Sequence, residues 1–183
     1  MSSLYYIALI PDRKLSNLCL KYKLIAKEMF QTKATLRSIA HITLIPPFKA
    51  DDVTIEKIKH RLTKVAQQSE ELNLTLTGWS HFKQRTIYLG CKPQPELSQL
   101  YDEFNYQVND LIQLRQESQF IPHLSIINRD LIKEQFTVAW NYFQTQNYPN
   151  QTKCSQLAIF KYSTENWQIN QLFNLISQVD SHV

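Results

Sequence analysis

Glycine is scarce in this 183-residue chain, in which only Gly78 and Gly90 occur. A dinucleotide-binding fingerprint and a phosphate-cradling P-loop each need several closely spaced glycines, so both motifs are excluded. Cysteine is also rare, and the three present form no CxxC pair. An odd number of widely spaced cysteines predicts reduced thiols, and neither a disulfide framework nor a cysteine zinc site.

Long hydrophobic runs are absent as well. The apolar stretch nearest the N-terminus, residues 4–10, is too short to span a bilayer, and no basic region precedes it. We therefore expect a cytoplasmic protein with no membrane partner. The histidines lack zinc-ligand spacing, so we predict no metal site and no cofactor. Nothing in the sequence implies an obligate protein partner.

Charge is unevenly distributed along the chain. Residues 1–92 carry 15 Lys/Arg against 7 Asp/Glu, whereas residues 93–183 carry 5 against 9. A basic first half favours an anionic partner such as RNA. A set of solvated surface lysines explains the same counts equally well.

Apolar spacing predicts alternating strands and amphipathic helices. No linker rich in Pro, Gly or Ser divides the chain, so we expect one domain over residues 1–183. We expect His182 to lie in a disordered tail. The fold class that follows is α+β or mixed α/β, with helices packed outside mixed sheets. Strands are predicted near 4–10, 38–45, 72–76, 86–91 and 121–127, helices near 15–29, 55–65, 97–112 and 131–145, and two strands or a strand and a loop over 154–175.

Two short motifs repeat each other. Residues 41–44 are His-Ile-Thr-Leu and residues 123–126 are His-Leu-Ser-Ile, and each motif falls in a predicted strand. Because successive side chains of a strand point to opposite faces, the histidine and the hydroxyl of each motif share one face. The two apolar residues anchor the other face in the core. A face that carries histidine and hydroxyl costs burial energy unless it meets solvent or a ligand.

Two such units facing each other suit phosphate chemistry. A histidine titrates near neutrality and serves as either general base or general acid. His41 and His123 would supply the base and the acid, and the hydroxyls of Thr43 and Ser125 would stabilise charge on phosphoryl oxygens. One motif alone is more often structural, but two copies with the same facing favour catalysis.

These residues resemble the 2H phosphoesterases, and in particular the branch of 2′-5′ RNA ligases and RNA 2′,3′-cyclic phosphodiesterases. That family carries two His-x-Thr/Ser-x motifs. Here they match residues 41–48 and 120–126, and the stretch 78–89 is also similar. The resemblance covers the chain from Tyr6 to about Phe160. Serine at position 125 replaces the more usual threonine but keeps the donor.

The resemblance implies a bilobal fold with pseudo-twofold symmetry, in which two antiparallel-rich sheets line a central cleft and helices lie outside. It implies metal-independent hydrolysis of a 2′,3′-cyclic phosphate on an RNA 3′ end or a small cyclic nucleotide, or reversible 2′-5′ joining of RNA. By analogy His41 would be the acid toward the leaving oxygen and His123 the base for water. A module that only binds a nucleotide or RNA end in the same cleft is the alternative, and a structural protein with both histidines buried is a third.

Four further residues are candidates for substrate binding. Arg129 follows the second motif and can bind a phosphate as a fork, or pair with a surface acid. Phe48, Trp79 and Tyr6 can stack on a base, although aromatics at strand ends more often belong to the core.

Overall fold

The computed structural model describes residues 2–113 and 119–177, so His182 lies outside the described residues. Eight strands, four α-helices and two short 3₁₀ helices, Ala34–Arg37 and Lys133–Gln135, make up this part of the chain. The strands are β1 Ser3–Ile10, β2 Ile42–Ala50, β3 Leu72–Phe82, β4 Thr86–Cys91, β5 His123–Asn128, β6 Gln151–Cys154, β7 Gln156–Ser163 and β8 Asn166–Asn174. The helices are α1 Arg13–Phe30, α2 Asp52–Ala66, α3 Pro95–Val108 and α4 Phe136–Phe143.

Two four-stranded antiparallel sheets organise the molecule, and they confirm the predicted mixed α+β class. The first sheet has the order β2-β1-β7-β8 and the second has the order β5-β4-β3-β6. The strands that carry the two histidine motifs, β2 and β5, are each the edge strand of their sheet. Cα atoms of these two edges approach within 8 Å of each other.

Helix α1 shows how the sequence places a helix on the core. Leu15, Cys19, Tyr22 and Ala26 recur at helical spacing and are all buried, as predicted. The carboxylate of Asp12 caps the helix by accepting from the Leu15 amide at 2.9 Å.

Strand β2 corrects one prediction, because it does not end at Pro46 but runs on to Ala50. Tyr5 pairs with Phe48 and Ile7 pairs with Ile45, so the two prolines lie opposite Tyr6 in a β-bulge. Proline removes a backbone donor and is tolerated at an edge strand or a bulge. This position is both, so the prolines do not end the strand.

The segment 154–175, left open by the sequence, forms a hairpin. Ser163 pairs with Asn166 across a two-residue turn, Thr164 and Glu165, whose φ angles are 46° and 67°. Two left-handed residues in succession are typical of the type I′ turn that suits strand twist. Within the described ranges, no helix has the length and apolar character needed to cross a membrane.

Candidate active site

The first motif places its histidine and hydroxyl on one side of the first sheet. Ile42 and Leu44 are 0% and 1% exposed in the main core, whereas His41 and Thr43 are half-buried on the opposite face. The prediction that His41 lies within the strand is wrong by one residue, because β2 begins at Ile42.

The second motif repeats this arrangement on the second sheet. Leu124 and Ile126 are buried in the main core, while His123 and Ser125 are half-buried on the other face. Ser125 pairs with Tyr88 on β4, in the way that Thr43 pairs with Ala8 on β1. The alternation predicted for both strands is therefore present.

The hydroxyls of Thr43 and Ser125 have no hydrogen-bond partner among residues 2–113 and 119–177. A half-buried hydroxyl has one donor and two acceptor positions to satisfy. Both hydroxyls are thus available to a ligand.

Both imidazoles are held by the same hydrogen bond. His41 Nδ1 lies 2.8 Å from the carbonyl oxygen of Ile39, and His123 Nδ1 lies 2.7 Å from that of Ile121. A carbonyl only accepts, so each Nδ1 carries the proton and donates. In each ring Nε2 is then the nitrogen that holds a lone pair when neutral and a proton when charged.

Burial lowers the pKa of His41 to about 4. The hydrogen bond to Ile39 opposes this effect, and the positive charges of Lys23 and of a protonated His123 lower the pKa further. Two consequences follow. His41 is a neutral imidazole near pH 7, and the two histidines lie close enough to interact electrostatically.

The lowered pKa of His41 predicts an acid-sensitive fold. An unfolded histidine titrates near its ordinary value of about 6.5, so between that pH and about 4 the unfolded chain binds the additional proton. The stabilisation is present above about pH 6.5 and is lost as the pH falls toward 4. We expect the free energy of unfolding, measured in urea, to fall across this window. The fall should be smaller in His41→Asn, and an equal fall in both proteins would contradict the prediction.

Aromatic side chains pack against the ring of each histidine. The ring of Tyr6 lies 4.8 Å from the His41 ring and stacks on Phe160 at 4.5 Å. On the second sheet Phe82 and Tyr88 pack against His123 at 5.0 and 4.9 Å. The rings restrict the rotation of both imidazoles, which fixes the direction of Nε2.

A buried lysine completes the surroundings of His41. Lys23 of α1 is 3% exposed and its Nζ donates to the carbonyl of Ser38 at 3.0 Å. The Ser38 hydroxyl bonds to the Tyr6 hydroxyl, and each lies 3.4 Å from His41 Nδ1. Burial lowers the pKa of Lys23 to about 8 and raises that of Tyr6.

Three aromatic predictions are corrected by the structure. Tyr6 is 3% exposed, and its ring already contacts Phe160, Trp167 and His41, so it supports the histidine and does not stack on a base. Phe48 is buried in the main core against Tyr5. Trp79 packs on Tyr22 and Phe143, and its indole N–H donates to the carbonyl of Gln146.

Arg129 also lies apart from the histidines. It follows the far end of β5, six residues beyond His123, which is about 20 Å at a rise of ~3.3 Å per residue. It occupies a left-handed backbone conformation with φ 67°, and its carbonyl accepts from Arg85. A phosphate held between the histidines is beyond its reach.

Sequence reasoning did not single out Lys23, although a signal was present. Lys23 falls on the buried face of α1, four residues after Cys19 and three before Ala26. A lysine in an apolar stripe at helical spacing is unusual, because buried cations are costly. Over the described part of the chain no cluster of His, Cys, Asp and Glu could hold a metal ion.

Proteins with similar sequences are known. The sequence profile of the 2′-5′ RNA ligase superfamily matches residues 21–166. A protein of Geobacillus sp. (strain WCH70), named as a candidate phosphoesterase, is 26% identical over 173 residues, which is 92% of this chain and 94% of that protein.

Solved structures share the fold. Escherichia coli LigT complexed with 3′-AMP superposes with a TM-score of 0.68 at 13% identity, over 96% of this chain and 99% of LigT. LigT complexed with ATP gives 0.65 at 14% identity over the same shares. The protein TT0787 of Thermus thermophilus gives 0.68 at 11% identity, over 96% of this chain and all of TT0787.

Proposed function

Because this chain belongs to the 2′-5′ RNA ligase superfamily of 2H phosphoesterases, we propose that it opens 2′,3′-cyclic phosphates on RNA 3′ ends or nucleotides without a metal. The observation that supports this most is the matched pair of imidazoles. His41 and His123 occupy equivalent edge positions, carry the same Nδ1–H···O=C bond and interact electrostatically. A phosphorus centre between them meets a proton acceptor and a proton donor.

The reaction balances with these two groups alone. The oxygen of water attacks phosphorus while one imidazole takes the water proton through Nε2. The bond from phosphorus to one ribose oxygen breaks, and that oxygen receives a proton from the other imidazole. The product is a ribose monophosphate. Thr43 and Ser125 donate to the non-bridging oxygens, where negative charge develops.

We assign the base to His41 and the acid to His123, opposite to the direction that family analogy implied. His41 is neutral in the free protein because its pKa is about 4, and a neutral imidazole accepts a proton. His123, the other imidazole, is then left to donate the proton to the leaving oxygen.

The same cleft suits ligation by a second nucleophile. A 5′-hydroxyl in place of water would attack the cyclic phosphate through its oxygen, the bond from phosphorus to the 3′-oxygen would break, and a 2′-5′ phosphodiester would form, with the two histidines in the same roles. LigT was crystallised with 3′-AMP and with ATP, which supports a nucleotide as the ligand of this fold. We place the reaction in the cytoplasm, in keeping with the three free cysteines.

Loss of one hydroxyl donor should slow the chemical step. Thr43→Val keeps the shape of the side chain and Ser125→Ala removes only an oxygen. A hydrogen bond to a charged group is worth ~1.5–3 kcal/mol, so we expect kcat to fall roughly 10-fold to 100-fold in each variant. Thr43→Ser, which keeps the donor, serves as the control. A kcat unchanged in Thr43→Val would exclude that hydroxyl from the transition state.

Incubation with 2′,3′-cyclic AMP in EDTA tests the proposed function directly. We expect a monophosphate product that chromatography identifies as the 2′ or the 3′ isomer. Absence of turnover, both on cyclic mononucleotides and on RNA with a cyclic-phosphate end, would overturn the proposal. If His41→Ala and His123→Ala then weakened nucleotide binding alone, the cleft would be a binding module.

A further inference from the structure

A cavity lies beside Tyr6, the buried ring that packs against His41. It has a volume of about 350 Å³ and is lined by residues of α1, of the segment before His41 and of the β7–β8 hairpin. Ligand pockets in proteins start at about this size. Ser38 and Trp167, which both contact Tyr6, form part of its wall. One aromatic side chain, Tyr6, therefore links the cavity to His41.

The charged side chains that line this cavity are all positive. Lys23 and Arg37 line it, and no acidic side chain does. Lys23 is 3% exposed and donates to the carbonyl of Ser38. An ammonium group has three donors, so this bond leaves two unaccounted for. Across the described ranges no carboxylate lies within 4.0 Å of either cation.

A buried cation without a counter-ion is costly, because desolvation is not offset by a paired negative charge. Arg37 is exposed at the rim and has no hydrogen bond to the described residues, so its guanidinium is available to an anion. Guanidinium recognises a phosphate through two parallel hydrogen bonds. The two cations together, one buried and one exposed, give the cavity the positive charge that favours a phosphate group.

The remaining walls fit a nucleoside. Trp167 is half-buried, and Leu20 and Ile39 are 50% and 46% exposed at the opening. Asn17 and Asn166 contribute amides that donate and accept. An apolar mouth with an indole and a few amides suits a base that is stacked and hydrogen-bonded at its edge.

We propose that this cavity binds a second phosphate of the substrate, one nucleoside away from the cyclic phosphate, with Lys23 and Arg37 as its ligands and Trp167 against the adjoining base. The proposal rests on the proposed function for the identity of the reacting group. The second phosphate is either a 5′-terminal monophosphate or the next internucleotide phosphodiester. The preferred substrate is then a cyclic phosphate that carries a further phosphate.

Three substrates test this selectivity: 2′,3′-cyclic AMP, its 5′-phosphorylated form and a dinucleotide that ends in a cyclic phosphate. We expect kcat/KM to be at least about 10-fold higher for one or both of the latter two, and which one gains distinguishes the two sources of the phosphate. In Arg37→Gln the kcat/KM of the preferred substrate, divided by that of 2′,3′-cyclic AMP, should fall toward 1. Lys21→Gln, an exposed lysine of α1 outside the cavity, should keep the wild-type ratio. Lys23→Met should also bring this ratio of kcat/KM values toward 1. If Lys23→Met does not fold, the result for Arg37→Gln is decisive.

A binding measurement separates the two proposals. We expect 5′-AMP, which has no cyclic phosphate, to quench tryptophan fluorescence in the wild type and not in Trp167→Phe, with weaker binding in Arg37→Gln. Hydrolysis of all three substrates at one rate, without quenching, would overturn the cavity assignment and leave the proposed function standing. Quenching that depends on Arg37 in a protein without hydrolytic activity would overturn the proposed function and support phosphate binding in the cavity.

Discussion

Replacing either His41 or His123 with alanine is expected to lower kcat on a 2′,3′-cyclic nucleotide by about 10²-fold to 10⁴-fold, the usual contribution of a positioned acid or base. Each imidazole is held by one backbone carbonyl and two aromatic rings, and neither is part of the main core. The fold should therefore survive both substitutions, and circular dichroism checks this.

The double variant sharpens this prediction. If base and acid act in one step, the loss in His41→Ala/His123→Ala should be far smaller than the product of the single losses. His60→Ala is the matched control, because His60 is an exposed histidine of α2 on another surface. Activity within threefold of wild type in His123→Ala would remove that residue from the mechanism.

A substrate with an activated leaving group should restore kcat in only one of the two histidine variants. A p-nitrophenyl phosphodiester releases p-nitrophenolate, which needs no proton, so the general acid becomes dispensable. We expect the kcat loss of His123→Ala to be about 10²-fold smaller on this ester than on the cyclic nucleotide. His41→Ala should lose similar activity on both substrates, because water still needs a base.

Absorbance of the released p-nitrophenolate measures the ester reaction, and product chromatography measures the cyclic one. Both substrates are compared at the same pH, so that the protonation of the remaining histidine is constant. The opposite pattern, with recovery in His41→Ala, would reverse the assignment of acid and base while leaving both residues catalytic.

The motif residues were predictable because strand periodicity determines which side chains share a face. A period of two places Ile42 and Leu44 in the core, and His41 and Thr43 must then take the other side. The same reasoning holds for the second motif. Local patterning therefore predicted the facing of both motifs in advance of any tertiary information.

Substrate-binding candidates were predicted poorly for an equally physical reason. Phe48 and Tyr6 belong to strands whose register contains a bulge, and residue type alone does not reveal on which face an aromatic lies after a bulge. Lys23 approaches Ser38 across 15 residues through packing of α1, a contact that no local pattern encodes. Arg129 is close to His123 in sequence but at the opposite end of an extended strand.

The pairing of β1 with β7 has a consequence for biosynthesis. Residues 5–10 pair with residues 156–161, so the first sheet is complete only after residues near the end of the chain have been synthesised. Strand β6, which directly precedes β7, belongs to the second sheet. The second sheet is built from one continuous stretch, residues 72–154, which lies between the two segments of the first sheet. Most of the chain must therefore leave the ribosome before the first sheet is complete. Contacts this distant in sequence slow folding. Because one core cluster contains residues of both sheets, we expect the protein to unfold in one cooperative step, with no separable halves on proteolysis.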